Sequence, residues 1–162
     1  MKPPLPRVPG TGVFLNRGKT TAPLALRANV EHNHILHEHV LIVSMEMKPT
    51  PHVPDSERLE LDDLGYAEDQ IVYVTARFGY MDQLNVPGLM PLIRAADTES
   101  PRDDDKLSYF LSRIELVPGN APGMSRWRKR LFIATSRITA DAAESFQLPR
   151  DGTVVMGSRI EL

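Results

Sequence analysis

Apolar positions along the chain fall into short blocks separated by polar and Pro/Gly-rich turns. Val13-Phe14-Leu15 is the first block and predicts a short buried strand. Thr20 and Thr21 then offer capping hydroxyls ahead of Pro23, which suits a first helical turn. The spacing predicts a helix over about 22–35. His39 to Met47 follows, with a continuous apolar centre that suggests a strand covered on both faces. Strand, helix and strand in succession make a βαβ unit, a crossover that is almost always right-handed.

The middle of the chain changes character. Glu57-Arg58-Leu59-Glu60-Leu61 alternates, a turn is expected at Gly65, and Ile71 to Phe78 alternates again. Val72, Val74, Ala76 and Phe78 would share one face, with Tyr73, Thr75 and Arg77 on the other. The pair reads as an antiparallel hairpin with one wetter face. A short helix is predicted from Val86 to Ala96, with Pro87 near its start. Asp97 to Asp105 carries five acidic side chains and no large apolar one, which makes a surface loop. Leu107 to Val117 reads as a strand and Val117 to Gly123 as a Pro/Gly loop. Ser125 can cap a helix whose Trp127, Leu131, Ala134 and Ile138 fall at helical spacing, with Trp127 expected in the core. A turn at Asp151-Gly152 leads into a last strand, Thr153 to Leu162.

The sum is a single α/β domain: a mixed sheet of about six strands with about three helices, starting with a βαβ unit. Met1 to Gly10, with four prolines and one glycine, reads as a linker, leaving 11–162 as the folded domain.

Composition narrows the chemistry. A net charge of −2 gives no electrostatic footprint for nucleic acid or an anionic membrane surface. The absence of cysteine removes disulfides, thiolate zinc sites and Cys nucleophiles. The longest apolar run, Val40 to Val43, is far short of the roughly 20 residues that span a bilayer. Direct membrane insertion is not expected.

Three motifs invite a functional reading. Gly18-Lys19-Thr20 follows an apolar strand, but a phosphate-cradling loop needs a glycine five positions before Gly18, where Val13 stands. A plain strand-to-helix loop is the favoured reading. Glu31, His32, His34, His37, Glu38 and His39 crowd one segment, and His34 and Glu38 would share a helical face as metal ligands do. The segment nevertheless runs from a helix end into a strand, so the side chains should fan out, and histidines near a helix C-terminus are stabilised without a metal. No metal is expected. Arg126, Arg128, Lys129 and Arg130 read as a solvated helix face. No Gly-x-Ser-x-Gly elbow or acid–base pair marks a catalytic centre, so no enzyme and no cofactor are expected.

The order of several blocks says more than any one of them. Arg7-Val8-Pro9-Gly10-Thr11 leads; Asn29, His32, Asn33, Leu36, His37 and Glu38 follow. Then come Arg77-Phe78-Gly79-Tyr80-Met81-Asp82 with Asn85-Val86-Pro87, and Ser108-Tyr109-Phe110-Leu111-Ser112-Arg113. Trp127-Arg128-Lys129-Arg130-Leu131-Phe132 and the closing Val154 to Leu162 complete the series. In that order the blocks resemble the C-terminal cytoplasmic domain of Kup-type potassium uptake transporters, across nearly the whole chain. His34 and His39 depart from the pattern, and Asp103-Asp104-Asp105 looks like a local insertion.

The resemblance implies a regulatory and assembly domain on the cytoplasmic side of the cell membrane, with no transport activity alone. Its partner would be a transmembrane part that imports potassium together with protons, and the domain would form a homodimer. By analogy with relatives similar to universal stress proteins, a nucleotide such as cyclic di-AMP would bind, with Asn33, His37 and Arg77 as the candidate ligand-binding residues. The alternative is a stand-alone nucleotide-binding protein of the universal-stress type. The start at Met1 fits either an expressed fragment or a free-standing gene.

Overall fold

The computed structural model describes residues 4–16, 22–64, 69–97, 106–117, 125, 127–128, 130 and 146–161. Six strands build one sheet: β1 (Arg7–Asn16), β2 (Leu36–Lys48), β3 (Leu59–Asp62), β4 (Ile71–Gly79), β5 (Leu107–Val117) and β6 (Thr153–Glu161). The helices are α1 (Leu24–Ala28), which runs on as a π turn over Asn29–Asn33, α2 (Asp55–Arg58) and α3 (Met90–Ala96). The strand order is β3-β4-β2-β1-β5-β6. All pairs are parallel except β3 against β4. The α/β class, the mixed sheet and the opening βαβ unit are therefore as the hydrophobic pattern predicts.

This order is that of a doubly wound sheet with an added antiparallel edge. From β1 the chain moves outward through β2 to β4, then returns to the other side of β1 for β5 and β6. The β1–β5 boundary is the topological switch point, outside whose carboxyl ends such sheets place ligands.

Both faces of the central strands are covered, and for that reason β1 and β2 read as apolar runs without alternation. One face packs Val13, Leu15, Leu41, Val43, Val74, Ala76 and Phe78 against Val86, Leu89, Met90 and Ile93 at α3 and the turn before it. The other packs Phe14, Val40, Ile42 and Phe110 against Ala25 of α1. The face assignment along β4 follows the expected alternation, with Val74, Ala76 and Phe78 in the first core and Tyr73 beside the second.

Element boundaries differ where hydrogen bonds outweigh apolar patterning. β1 starts at Arg7, inside the stretch read as a linker. The Arg7 guanidinium donates to the carbonyls of His37 and Asp69, both at 2.9 Å, and so ties the entrances of β2 and β4 to β1. Backbone N–H of Leu36 donates to the Pro6 carbonyl at 3.1 Å. The α1 segment begins at Leu24 without a side-chain cap of its own. Instead Ser112 Oγ, from β5, accepts the Ala25 N–H at 2.8 Å, satisfying one of the free donors of the helix start. Glu57 and Arg58, expected in a strand, belong to the one-turn α2, and β3 is left with four residues. Trp127, expected in the core, is 64% exposed, with the Arg128 guanidinium 5.5 Å from its ring centroid. Gly18-Lys19-Thr20, Gly65 and most of the predicted helix after Ser125 lie outside the described residues.

Candidate functional site

Asn33, His37 and Arg77 do not meet. Asn33 closes the π turn ahead of β2 and donates from Nδ2 to Oδ1 of the buried Asn29 at 2.7 Å. Asn29 in turn reaches the Ile35 carbonyl at 3.5 Å, so this amide pair braces the turn from which β2 departs. His37 lies one residue into β2, at the amino end of the sheet. Its ring packs edge-on to Phe14 and Phe110, at 6.5 and 5.4 Å between centroids, and its buried Nδ1 has no hydrogen-bond partner. Burial lowers the His37 pKa from the ordinary 6.5. Neutral His37 therefore contributes stability that is present above pH 6.5 and declines as pH falls below it.

Arg77 stands at the opposite, carboxyl end, near the close of β4. Register sets it beside Glu46 of β2, and its guanidinium pairs with Glu46 at 3.4 Å and with Glu60 of β3. Lys48 also pairs with Glu46, at 2.8 Å. Two carboxylates already offset the Arg77 charge. A dianionic phosphate arriving there would have to displace them, which disfavours this side chain as a ready-made anion site.

Among the described residues no group of three or more His, Asp or Glu side chains converges as metal ligands would.

The carboxyl end of β2 and β4 holds a constellation that patterning does not reveal. Asp82, in the turn after β4, accepts at Oδ2 from the N–H of Gly79 at 2.8 Å and of Val53 at 3.0 Å. His52 Nδ1 lies 2.7 Å from Oδ1, and Arg58 Nη1 3.5 Å from Oδ2. Arg58 also donates to the Val53 carbonyl at 2.6 Å and sits over the Phe78 ring at 5.2 Å. One carboxylate thus fastens the loop after β2 to the turn after β4. The platform displays Met47, Tyr80 and Met81 to solvent. The sequence signal available was local: an aspartate three residues after a glycine, directly behind a strand, is a turn-closing arrangement.

The N–H donors of Gly79 and Val53, then His52 and the Arg58 charge, hold the Asp82 carboxyl far below its ordinary 3.8. A depressed carboxylate stabilises the fold above its unfolded pKa, and that contribution fades as pH falls towards the folded one. Asp82→Asn is expected to melt several degrees below the parent chain at pH 7. The gap should close as pH is lowered from about 4 towards 2, where the parent carboxyl starts to lose its advantage. Thermal melts across that range decide it: a gap that stays constant with pH would exclude the linkage.

At the carboxyl half of the second face a polar row crosses four strands. Asn16, Ser44, Thr75 and Glu60 are register partners from β1, β2, β4 and β3, and the first three are buried. Polar side chains in this place, beside the switch point, are what a doubly wound sheet uses when it takes a ligand.

The sequence profile of the family described as "K+ potassium transporter C-terminal domain" matches residues 9–162. The chain belongs to that family. It is 65% identical over 161 residues to a "Probable potassium transport system protein Kup" of Rhodococcus jostii (strain RHA1), covering 99% of this chain and 24% of that protein. The like-named protein of Cutibacterium acnes is 38% identical, covering 96% of this chain and 24% of its own length. That of Myxococcus xanthus is 36% identical, with 99% and 24% covered. The chain thus spans about a quarter of the length of these relatives. No solved structure matches the chain. Among the described residues no helix is long and apolar enough to cross a membrane.

Proposed function

We propose that this chain is the regulatory and assembly domain of a Kup-type potassium transporter, acting from the cytoplasmic side on a transmembrane part that carries the ions. The observation that carries the reading is the family match over residues 9–162, joined to relatives about four times as long that are named for potassium transport. The packed, doubly covered sheet supports a steering role: both faces are filled with side chains, so the described part offers no conduit of its own. Coupling to protons belongs to the transmembrane part in this reading.

The decisive experiment grafts the chain in place of the corresponding segment of the Rhodococcus jostii relative. In a host that lacks its own potassium uptake, the graft is expected to restore growth at low potassium, and deletion of the segment to change the rate or the set-point of uptake. Uptake that is identical with and without the segment would overturn the reading.

Nucleotide sensing is a finer form of the same proposal. Asn33 and His37 at one end of the sheet and Arg77 at the other cannot all hold one small ligand, so any site would use these residues separately. The polar row of Asn16, Ser44 and Thr75 is the better-placed candidate. Calorimetry with cyclic di-AMP and with ATP tests it; no heat and no thermal shift with either would remove the nucleotide while leaving the transport reading intact.

A further inference from the structure

At the carboxyl end of β2 and β4 three large apolar side chains stand in solvent on a braced frame. Met47 is 54% exposed, and Tyr80 and Met81 are each 63% exposed. Met47 is the register partner of Phe78, two residues before Tyr80. Tyr80 and Met81 in turn bond through their N–H groups to the Thr50 and Pro51 carbonyls, so all three lie where the loop after β2 runs beside the turn after β4. The Asp82 carboxylate ties that loop to that turn. Side chains on a braced loop stay in solvent until a partner covers them. Tyr and Met are enriched at interfaces between proteins, and the unbranched Met adapts to the shape it meets.

Charge narrows the occupant. Asp55, Glu57 and Glu60, on α2 and β3 next to the platform, are exposed. The nearby cations Lys48, Arg58 and Arg77 are each already paired with a carboxylate. The rim is therefore acidic, which repels anionic lipid headgroups and favours a segment carrying Lys or Arg. In membrane proteins the loops on the cytoplasmic side are the ones enriched in those residues.

We infer that Met47, Tyr80 and Met81 form the docking platform for a basic cytoplasmic loop of the transporter's membrane part, one that also carries an apolar anchor. The inference rests on the transport reading above and adds to it the surface and the chemistry of the contact. Three side chains are too few for a stable complex between free partners, which needs about 1,000 Å² or more of buried surface. A loop joined to the domain through the chain meets it at about millimolar effective concentration, and a small platform then suffices. The contact is accordingly one to be sought inside a single polypeptide.

The test uses the Rhodococcus jostii relative with this chain grafted in place of its corresponding segment, and a photo-reactive p-benzoylphenylalanine in place of Tyr80. Irradiation in the membrane is expected to link position 80, within one polypeptide, to a Lys/Arg-bearing loop outside the graft, as mapped by mass spectrometry. The same probe in place of Val155, on β6 at the opposite edge of the sheet, should not form that link. Glu57→Lys and Met81→Lys should each lower the yield by about threefold or more, whereas Met81→Leu, which keeps the apolar surface, should retain it. Were anionic lipid the occupant, both lysines would raise the yield instead. Links from position 80 only to lipid, only to a second copy or to nothing, or the same link from position 155, would each overturn the inference. Growth of the same graft at low potassium is scored separately. Restored growth with no link from position 80 would remove the platform and leave the transport reading standing.

Discussion

Replacing Phe14 with alanine is expected to remove about 3–5 kcal/mol of stability, the range for deleting a fully buried aromatic ring. Phe14 is fully buried in the carboxyl half of β1, in register with Ile42 on one side and Phe110 on the other. Its ring stacks on Phe110 at 4.6 Å and 10°, and the His37 ring meets it edge-on. Few neighbours can move into the space, because the strands on both sides are fixed by parallel ladders. For a domain whose whole stability is about 5–15 kcal/mol, the loss is large. The melting temperature should drop by about 10 °C, taking about 2–4 °C per kcal/mol at this size. Phe14→Leu, which keeps most of the volume, should lose less than half as much. The same cavity admits water to His37 Nδ1, so the pKa of His37 should climb back towards 6.5. Calorimetric melts and an NMR titration of the histidine ring test both halves. A drop of less than about 2 °C would mean that the two cores do not depend on this ring.

What the sequence revealed about this domain depended on whether a signal was local. Leu107–Val117 coincides with its predicted span, and the alternation over β4 predicts which residues face which core, because period-two patterning is written into neighbouring residues. The first half of β1 is hidden from hydropathy because it is polar and proline-bearing and joins the sheet through the Arg7 guanidinium and main-chain bonds, which no apolar pattern encodes. The surroundings of Arg77 were illegible for another reason. Glu46 and Glu60 are 31 and 17 residues away, and only the β2–β4 and β3–β4 registers bring them beside the guanidinium. The nearness of Asn33 to His37 was legible as sequence proximity, whereas their separation from Arg77 is a consequence of strand direction. Trp127 is exposed despite its helical spacing, because such spacing identifies a face without saying what covers it.

Gly79→Ala is expected to cost as much as the loss of a core ring, although it adds one methyl group at the end of a strand. Gly79 is not in the left-handed region, so its requirement is space alone. A Cβ there would overlap the carbonyl group of Pro51 and come within 2.6 Å of the His52 nitrogen. These are backbone atoms, which no rotamer change can withdraw. The loop after β2 is held against this point by Tyr80 N–H to the Thr50 carbonyl and Met81 N–H to the Pro51 carbonyl, each 2.9 Å. Making room means giving up that pair, at about 1 kcal/mol each, on top of the 1–3 kcal/mol typical of over-packing. The Asp82 clamp shares the same loop, so its bonds to Gly79 and Val53 should lengthen together. A fall in melting temperature of about 6–20 °C follows. Amide exchange should be accelerated at Val53, Gly79, Tyr80 and Met81. Gly152→Ala is the matched control, since a methyl group there meets its nearest neighbour, the Leu107 carbonyl oxygen, at an ordinary 3.4 Å. It should change stability by no more than about 0.5 kcal/mol. If the two alanines proved equally mild, the close approach of the two loops would be absent in solution, and with it the rigid display of Tyr80 and Met81.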